Sequence, residues 1–369
     1  MMSSTVHFTN FRASLTENLL QKLRRLILAA GFDEIDFKHR FVAIKIHFGE
    51  AGNLAYLRPQ YAKVVADLVK ERGGRPFLTD ANTLYVGARR NALDHLNCAA
   101  ENGFSPASTG CQILIADGLR GTDEVEVPID LEYCRTAKIG RAIMDADIVI
   151  SLNHFKAHEA TGFGGAIKNL GMGSGSRAGK MEMHNDGKPN ANPDLCISCG
   201  MCARQCAHGA ISFHARKARI NHDRCVGCGR CVGVCPVDAI RPTGSNSNDL
   251  LNYKISEYAY AVVKDRPHFH ITLLNAVSPY CDCHAENDMP IIPDVGMFAS
   301  RDPVAIDQAC IDAALAMPVL PGSLLDEQPE TAGQDHFTRL HPTTNWRGQI
   351  EHGVAIGLGS SDYELIDIG

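Results

Sequence analysis

The chain has 369 residues, 45% hydrophobic and 21% charged, a composition that excludes a disordered or fibrous protein. With 36 Lys and Arg against 42 Asp and Glu its net charge is −6, which excludes a general nucleic-acid binder. No run of about 18 apolar residues is present, which excludes a membrane-spanning helix.

Read in chain order, the N-terminal segment MMSSTVHFTN has neither a basic start nor an apolar stretch, so no secretory signal is expected and the location is expected to be cytoplasmic. Residues 15–30 form an amphipathic helix pattern carrying Lys22, Arg24 and Arg25, expected to pack on the core. Residues 41–48 (FVAIKIHF) read as a buried strand. A helix follows over 59–72, with Pro59 in its first turn and Gly73-Gly74 ending it. Strands are expected over 75–79, 112–116 and 124–127, helices over 91–102 and 138–145, and a buried strand over 147–152 (DIVISL). Further on, the pattern gives a helix at 249–263, strands at 268–274 and 294–299, and a helix from the Asp302-Pro303 cap to about residue 316. Residues 318–334 read as a long loop and 363–368 as a last strand. Short apolar runs alternating with helices indicate an α/β fold, a mostly parallel sheet covered by helices on both faces.

Eight of the fourteen cysteines interrupt this alternation. Cys196, Cys199, Cys202 and Cys206 form one C-x2-C-x2-C-x3-C run, and Cys225, Cys228, Cys231 and Cys235 repeat it 29 residues later, followed by Pro236. The repeat resembles the ligand runs of bacterial-type two-cluster ferredoxins, in which the fourth cysteine of each run serves the other cluster. Carried over, the resemblance assigns one [4Fe–4S] cluster to Cys196, Cys199, Cys202 and Cys235, and the other to Cys225, Cys228, Cys231 and Cys206. Zinc more often takes paired C-x2-C units across a long gap, and disulfides need an oxidising compartment. One departure is Ala207, which stands where Pro follows the second run. Arg204, Arg216, Lys217, Arg219, Arg224 and Arg230 outnumber Asp194, Asp223 and Asp238 here; they either offset cluster charge or form a solvated basic face. Polar, Gly- and Asn-rich flanks at 181–193 and 241–248 make this an insertion. The expected division is an α/β domain in two parts, 1–190 and 241–369, around a small α+β ferredoxin-like unit at 191–240. A two-domain chain split at the cysteines is the alternative.

A second candidate site begins where DIVISL ends, at the strand edge where α/β sheets bind ligands. The segment NHFKAHEATGFGGAIKNLGMGSGSRAGK carries His154, His158, Lys156, Lys168, Arg177, Lys180 and seven glycines. It reads as an anion cradle or carboxylate-polarising loop, or else as a flexible connector. No Walker or G-x-G-x-x-G pattern is present, so no flavin or nicotinamide fingerprint is found. Other strand ends carry Lys45, His47, Gly49 and Glu50, and Asp80, Asn82 and Thr83; in a parallel sheet these share one edge. His154, His158 and Lys168 are the candidate catalytic residues. Cys281 and Cys283, two apart just after a strand and followed by His284, Asp288 and Asp294, are candidates for a further metal or a cluster contact. Cys98, Cys111, Cys134 and Cys310 read as buried thiols.

Taken together, HFKAHEATGFGGAIKNLGMG, TDANTLYVGARR, the two cysteine runs and PYCDCHAENDMPIIPDVGMFASRDPVAID resemble the family called domain of unknown function 362, over about residues 40–350. That resemblance implies an α/β domain hosting a bacterial-type ferredoxin insertion, and no named activity. The loop pattern H-x-x-x-H-x-x-x-G-F-G-G-x-x-K is similar, by analogy only, to the histidine/lysine loop of the lactate racemase superfamily. The expected function is an iron–sulfur electron-transfer protein, an oxidoreductase passing single electrons to a ligand at the Gly/His/Lys loop. Its partner would be a redox protein or a small-molecule substrate, without nucleic acid. Alternatives are a non-enzymatic electron carrier or adaptor that docks partners through its α/β domain, and a non-redox pocket with structural clusters.

Overall fold

The computed structural model describes residues 3–85, 87–185, 188–242, 248–330 and 333–369. Its frame is one eight-stranded sheet. From edge to edge the strands are Tyr363–Asp367, Ser4–Asn10, Gly296–Ser300, His268–Leu274, Ile148–His154, Phe41–Lys45, Arg75–Asp80 and Gln112–Ile115. Gly296–Ser300 runs antiparallel to both its neighbours, and the other pairings are parallel. The fold is therefore α/β around a mostly parallel sheet. Strands from before and after the cysteine runs share it.

Alternation along the strands explains the two cores. Val42, Ile44, Ile148, Ile150, Phe269 and Ile271 face one apolar layer, which the helices Leu19–Ala29 and Pro59–Glu71 complete. Ala43 and Val149 face the other, against Ala166–Ser174, Asn248–Val263 and Pro303–Leu315. Burial on both faces is why these strands read as continuous apolar runs. Local signals set the helix starts: Asn18 with Gln21 forms a capping box, Pro59 opens its helix, and the Asp302 carboxylate accepts from the N–H groups of Val304 and Ala305.

Three expectations need correction. Residues 138–145 are not one helix: Thr136–Gly140 is a strand paired with Glu124–Pro128, and only Arg141–Met144 is helical. The alternating burial of Ala137 and Ile139 decided this, a period of two within a short segment. Ser4–Asn10 was not expected as a strand, yet it joins the last strand to the rest of the sheet. The glycine segment is largely ordered secondary structure. Lys156–His158 pairs with Gly162–Gly164, and the helices Ala166–Ser174 and Arg177–Asn185 follow. The expected linkers and the 318–334 loop lie partly outside the described residues.

The chain runs outward from Phe41–Lys45 through Arg75–Asp80 to Gln112–Ile115, then returns to the other side at Ile148–His154. That reversal creates a crevice beyond the carboxyl ends of two adjacent strands, the usual ligand position in such sheets.

Candidate functional site

The cysteine segment leaves and rejoins the α/β frame at one place, because Pro189–Ala191 and Ile240–Pro242 pair antiparallel. Each run turns at a glycine in the left-handed region, Gly200 (φ 74°) or Gly229 (φ 66°), and enters a one-turn helix, Met201–Gln205 or Arg230–Gly233. The turns gather the sulfurs into two separate gaps. Cys196, Cys199 and Cys202 line one together with Cys235 from the other run. Cys225, Cys228 and Cys231 line the second together with Cys206.

The surroundings suit soft metal chemistry. Ile197, Phe213 and Val237 wall the first gap; Ile211, Ile220 and Val226 wall the second. The N–H groups of Ala218, Ala210 and Ala239 donate to the sulfurs of Cys196 (3.4 Å), Cys206 (3.3 Å) and Cys235 (3.1 Å). Burial, then the neighbouring Cys228 and Cys225, push the Cys231 thiol up to about 12. Crowded sulfurs of this kind ionise together only when a cation shares their charge. Each four-sulfur donor set therefore fits an iron–sulfur cluster or a thiolate-bound metal.

Arg177 was expected to charge the glycine loop. Instead its side chain packs onto Gly229 and Gly233 of the second cysteine run, and its guanidinium donates to the Arg90 carbonyl. A side chain on Gly233 would occupy the guanidinium's place.

The second feature is a cavity of about 610 Å³ at the crevice. It is lined by His47, Glu50 and Asp80 from the strand ends, by His154, Lys156, His158, Lys168 and Lys180 from the glycine segment, and by Cys281, Cys283 and His284. The sequence-derived candidates therefore converge, but their roles differ. Both ring nitrogens of His154 face acceptors: Nδ1 the Asp282 carboxylate (2.9 Å), Nε2 the Asn275 carbonyl (2.8 Å). Lys156 lies 3.2 Å from the same carboxylate. Asp282, fully buried, is thus held by the His154 ring and the Lys156 ammonium and keeps the Cys281–His284 turn in place. His154 acts as a brace for that turn rather than as a free acid or base.

His158 and Lys168 address the cysteines. Lys168 Nζ donates to Cys281 Sγ at 3.4 Å. A ring nitrogen of His158 and the sulfurs of Cys281 and Cys283 lie within 4.8 Å of one another, a spacing that one metal ion can bridge. The adjacent Cys283 thiol, with Lys168 and His158, holds Cys281 well below the ordinary thiol value against the opposing effect of burial. Cys283 is held above it. Burial opposes the charge of Lys168, yet Cys281, Cys283 and Glu159 raise its affinity for its proton.

The opposite wall is a buried charge chain. Lys45 meets Asp80 at 2.9 Å, Arg89 lies 3.5 Å from Asp80, and Arg89 meets Glu50 at 3.1 Å. Sequence reasoning did not single out Arg89, Tyr85, Glu159 or His184 as site residues. Tyr85 and Arg89 belong to a loop with no periodicity, Glu159 lies in a segment whose glycines dominate its pattern, and His184 lies in the polar 181–193 flank. Burial lowers His184 to about 4 and Lys180 to about 8, with neighbouring positive charges adding to the effect on His184.

The glycines mostly serve packing. Asp307 accepts from the N–H groups of Ala166 (2.7 Å) and Ile167 (2.9 Å), so this helix start is capped by the chain's own carboxylate, not left for an anionic ligand. A Cβ on Gly171 would overlap the Ile255 carbonyl, and one on Gly179 the Lys138 carbonyl. Gly164 and Gly165 do line the cavity.

Leu84 links the two features. It lines the cavity and packs in the same apolar cluster as Cys202, Cys231 and Cys235.

Comparison with known proteins places these features in context. A thylakoid-associated protein of Synechocystis sp. is 28% identical over 170 residues, 42% of this chain and 48% of that protein, so the match spans about half of the relative. The lactate racemase apoprotein from Thermoanaerobacterium thermosaccharolyticum aligns over 73% of this chain and 50% of its own, at 12% identity and a TM-score of 0.35. A Thermotoga maritima protein aligns over 75% of this chain and 54% of its own, at 15% identity and a TM-score of 0.35. The family model described as "Domain of unknown function (DUF362)" matches residues 42–312. The chain, with its cysteine-lined gaps and its cavity at the sheet edge, belongs to that family.

Proposed function

We propose that the chain is a cytoplasmic iron–sulfur oxidoreductase. In this reading a ferredoxin-type unit at 191–240, inserted between 1–190 and 241–369, holds two [4Fe–4S] clusters, and single electrons pass to a ligand in the cavity. The observation that carries it is the crossed membership of the two gaps, each with three sulfurs of one run and the fourth from the other. A tetrahedral zinc site has no need of that crossing, whereas paired cubanes do. When bound, such clusters supply one-electron transfer.

The chain's own groups have definable parts in this proposal. The amides of Ala210, Ala218 and Ala239 stabilise sulfur charge, and Arg177 adds a buried cation beside the second gap. Leu84 would carry apolar contact between the Cys202, Cys231 and Cys235 cluster and the cavity. In the cavity, Lys168 and His158 face the incoming ligand together with Cys281. Lys180, with its proton affinity lowered to about 8, is suited to give up a proton near neutral pH.

The test is anaerobic purification, iron and sulfide analysis, and EPR of the dithionite-reduced protein. About eight iron and eight sulfide per chain with two interacting S = 1/2 signals are expected. Zinc in place of iron, or iron without sulfide, overturns the proposal.

A further inference from the structure

We propose that Cys281 and Cys283 are a redox-active dithiol–disulfide pair lining the cavity. The pair is built into a pinned turn. The N–H of His284 donates to the carbonyl of Cys281 at 3.0 Å, which curls the Cys-Asp-Cys-His segment back on itself. Between the cysteines, Asp282 is anchored on both sides: its carboxylate by His154 and Lys156, its carbonyl by the N–H of Glu50 at 2.9 Å. The two sulfurs lie within 4.8 Å of each other. That separation leaves less than 3 Å to close to an S–S bond of about 2.05 Å, a change that side-chain rotation supplies in disulfide formation. Cys281 is buried from bulk solvent yet opens onto the cavity.

The His158 ring is oriented against serving as a metal ligand beside this pair. His158 Nδ1 accepts from the N–H groups of Ala160 (3.1 Å) and Thr161 (3.2 Å). The ring proton is therefore on Nε2, and neither nitrogen keeps a lone pair for a metal. Nε2–H and the Lys168 ammonium are instead two donors suited to a Cys281 thiolate. A sulfur approached by two N–H donors, with a second sulfur within 4.8 Å, is the arrangement of an attacking and a resolving cysteine.

The chemistry balances with a named reductant. The disulfide takes two electrons and one proton, its S–S bond breaks, and the Cys281 thiolate and the Cys283 thiol result; oxidation by a two-electron acceptor reverses this and releases the proton. The reductant is a low-potential one-electron donor acting twice. Only this electron source rests on the function proposed above; the pair itself stands on the turn and its neighbours.

The test equilibrates anaerobic protein in dithiothreitol buffers of stepped redox ratio, alkylates it, and reads the 276–300 peptide by mass spectrometry. Cys281 and Cys283 are expected to change together in one two-electron step, with loss of about 2 Da on oxidation, while the buried Cys98, Cys134 and Cys310 stay reduced. Cys283→Ser is expected to abolish closure and leave Cys281 rapidly alkylated. Lys168→Met removes a stabiliser of the reduced thiolate, so its midpoint is expected at a more negative potential. Absence of closure under the most oxidising buffer overturns the proposal. So does uptake of one equivalent of Zn2+ that blocks alkylation of both thiols, which would make this a metal site. Iron content reports separately on the clusters: full iron without closure removes the pair alone, and closure without iron removes only its electron source.

Discussion

The roles of single residues here are set by what each side chain can still do after its contacts are made. His154 looks catalytic in sequence, four residues before His158 at a strand end, but both its nitrogens are engaged. His154→Ala is expected to remove a hydrogen-bond donor from the buried Asp282 carboxylate, which keeps Lys156, and to cost about 1.5–3 kcal/mol in chemical denaturation. Arg177 puts a cation beside Cys228 and Cys231. Arg177→Ala is expected to lower the midpoint potential of the cluster assigned to the second run and to leave the first unchanged, as read by EPR-monitored redox titration. Lys180 carries a pH signature. Burial lowers its folded value to about 8 from the ordinary 10.5. Between these values the unfolded chain binds the proton and the folded chain does not, so folding becomes more favourable as pH rises from 8 towards 10.5. Wild-type stability relative to Lys180→Met is expected to climb over that window in urea unfolding, and a flat difference would contradict the assignment. None of these roles is readable from residue type and spacing, because each depends on partners more than fifty positions away that only the fold brings together.

At the level of elements, much was legible. The strand His268–Leu274 and the helices opened by Pro59 and Asp302 follow from apolar period and capping residues that act locally. Thr136–Gly140 was misread because a five-residue amphipathic run fits both periods, and its hairpin partner decides the outcome. Ser4–Asn10 was missed because it mixes His, Thr and Asn with apolar residues, and its pairing at both edges replaces what pattern lacks. The glycine segment misled most. A high glycine content signals close approach of backbone to something, and here that is mainly the chain itself, with Asn248–Val263 packed on Ala166–Ser174. Gly171→Ala is expected to destabilise by about 1–3 kcal/mol through overpacking against the Ile255 carbonyl, measured by thermal or denaturant unfolding. Asp307→Ala should cost about 2–4 kcal/mol, since the N–H groups of Ala166 and Ile167 then lose their acceptor in a dry site.

For the whole molecule, the division of labour between sheet and cysteine segment matters most. The sheet has two large apolar layers, while the segment between residues 189 and 242 has a small cluster in which Cys202, Cys231 and Cys235 are themselves core residues. In the proposed function, a segment with so little apolar core is stabilised by the clusters its cysteines would hold. The repeated spacing of the eight cysteines made their gathering into two groups of four legible in sequence, because each group is built on a repeated local loop. The cavity was readable only as an edge where several strand ends meet. That Cys281 and Cys283 face His158 and Lys168 required the fold, since 113 residues separate Lys168 from Cys281. The crossing of the two runs is where the proposed function is most exposed to test. EPR of reduced, anaerobically prepared Cys235→Ser, beside Cys196→Ser and Cys225→Ser, probes it directly. Crossed ligation requires the spectrum of Cys235→Ser to match that of Cys196→Ser, with the cluster of the second run intact. A Cys235→Ser spectrum that matches Cys225→Ser instead, or wild-type protein without any cluster signal, would contradict it.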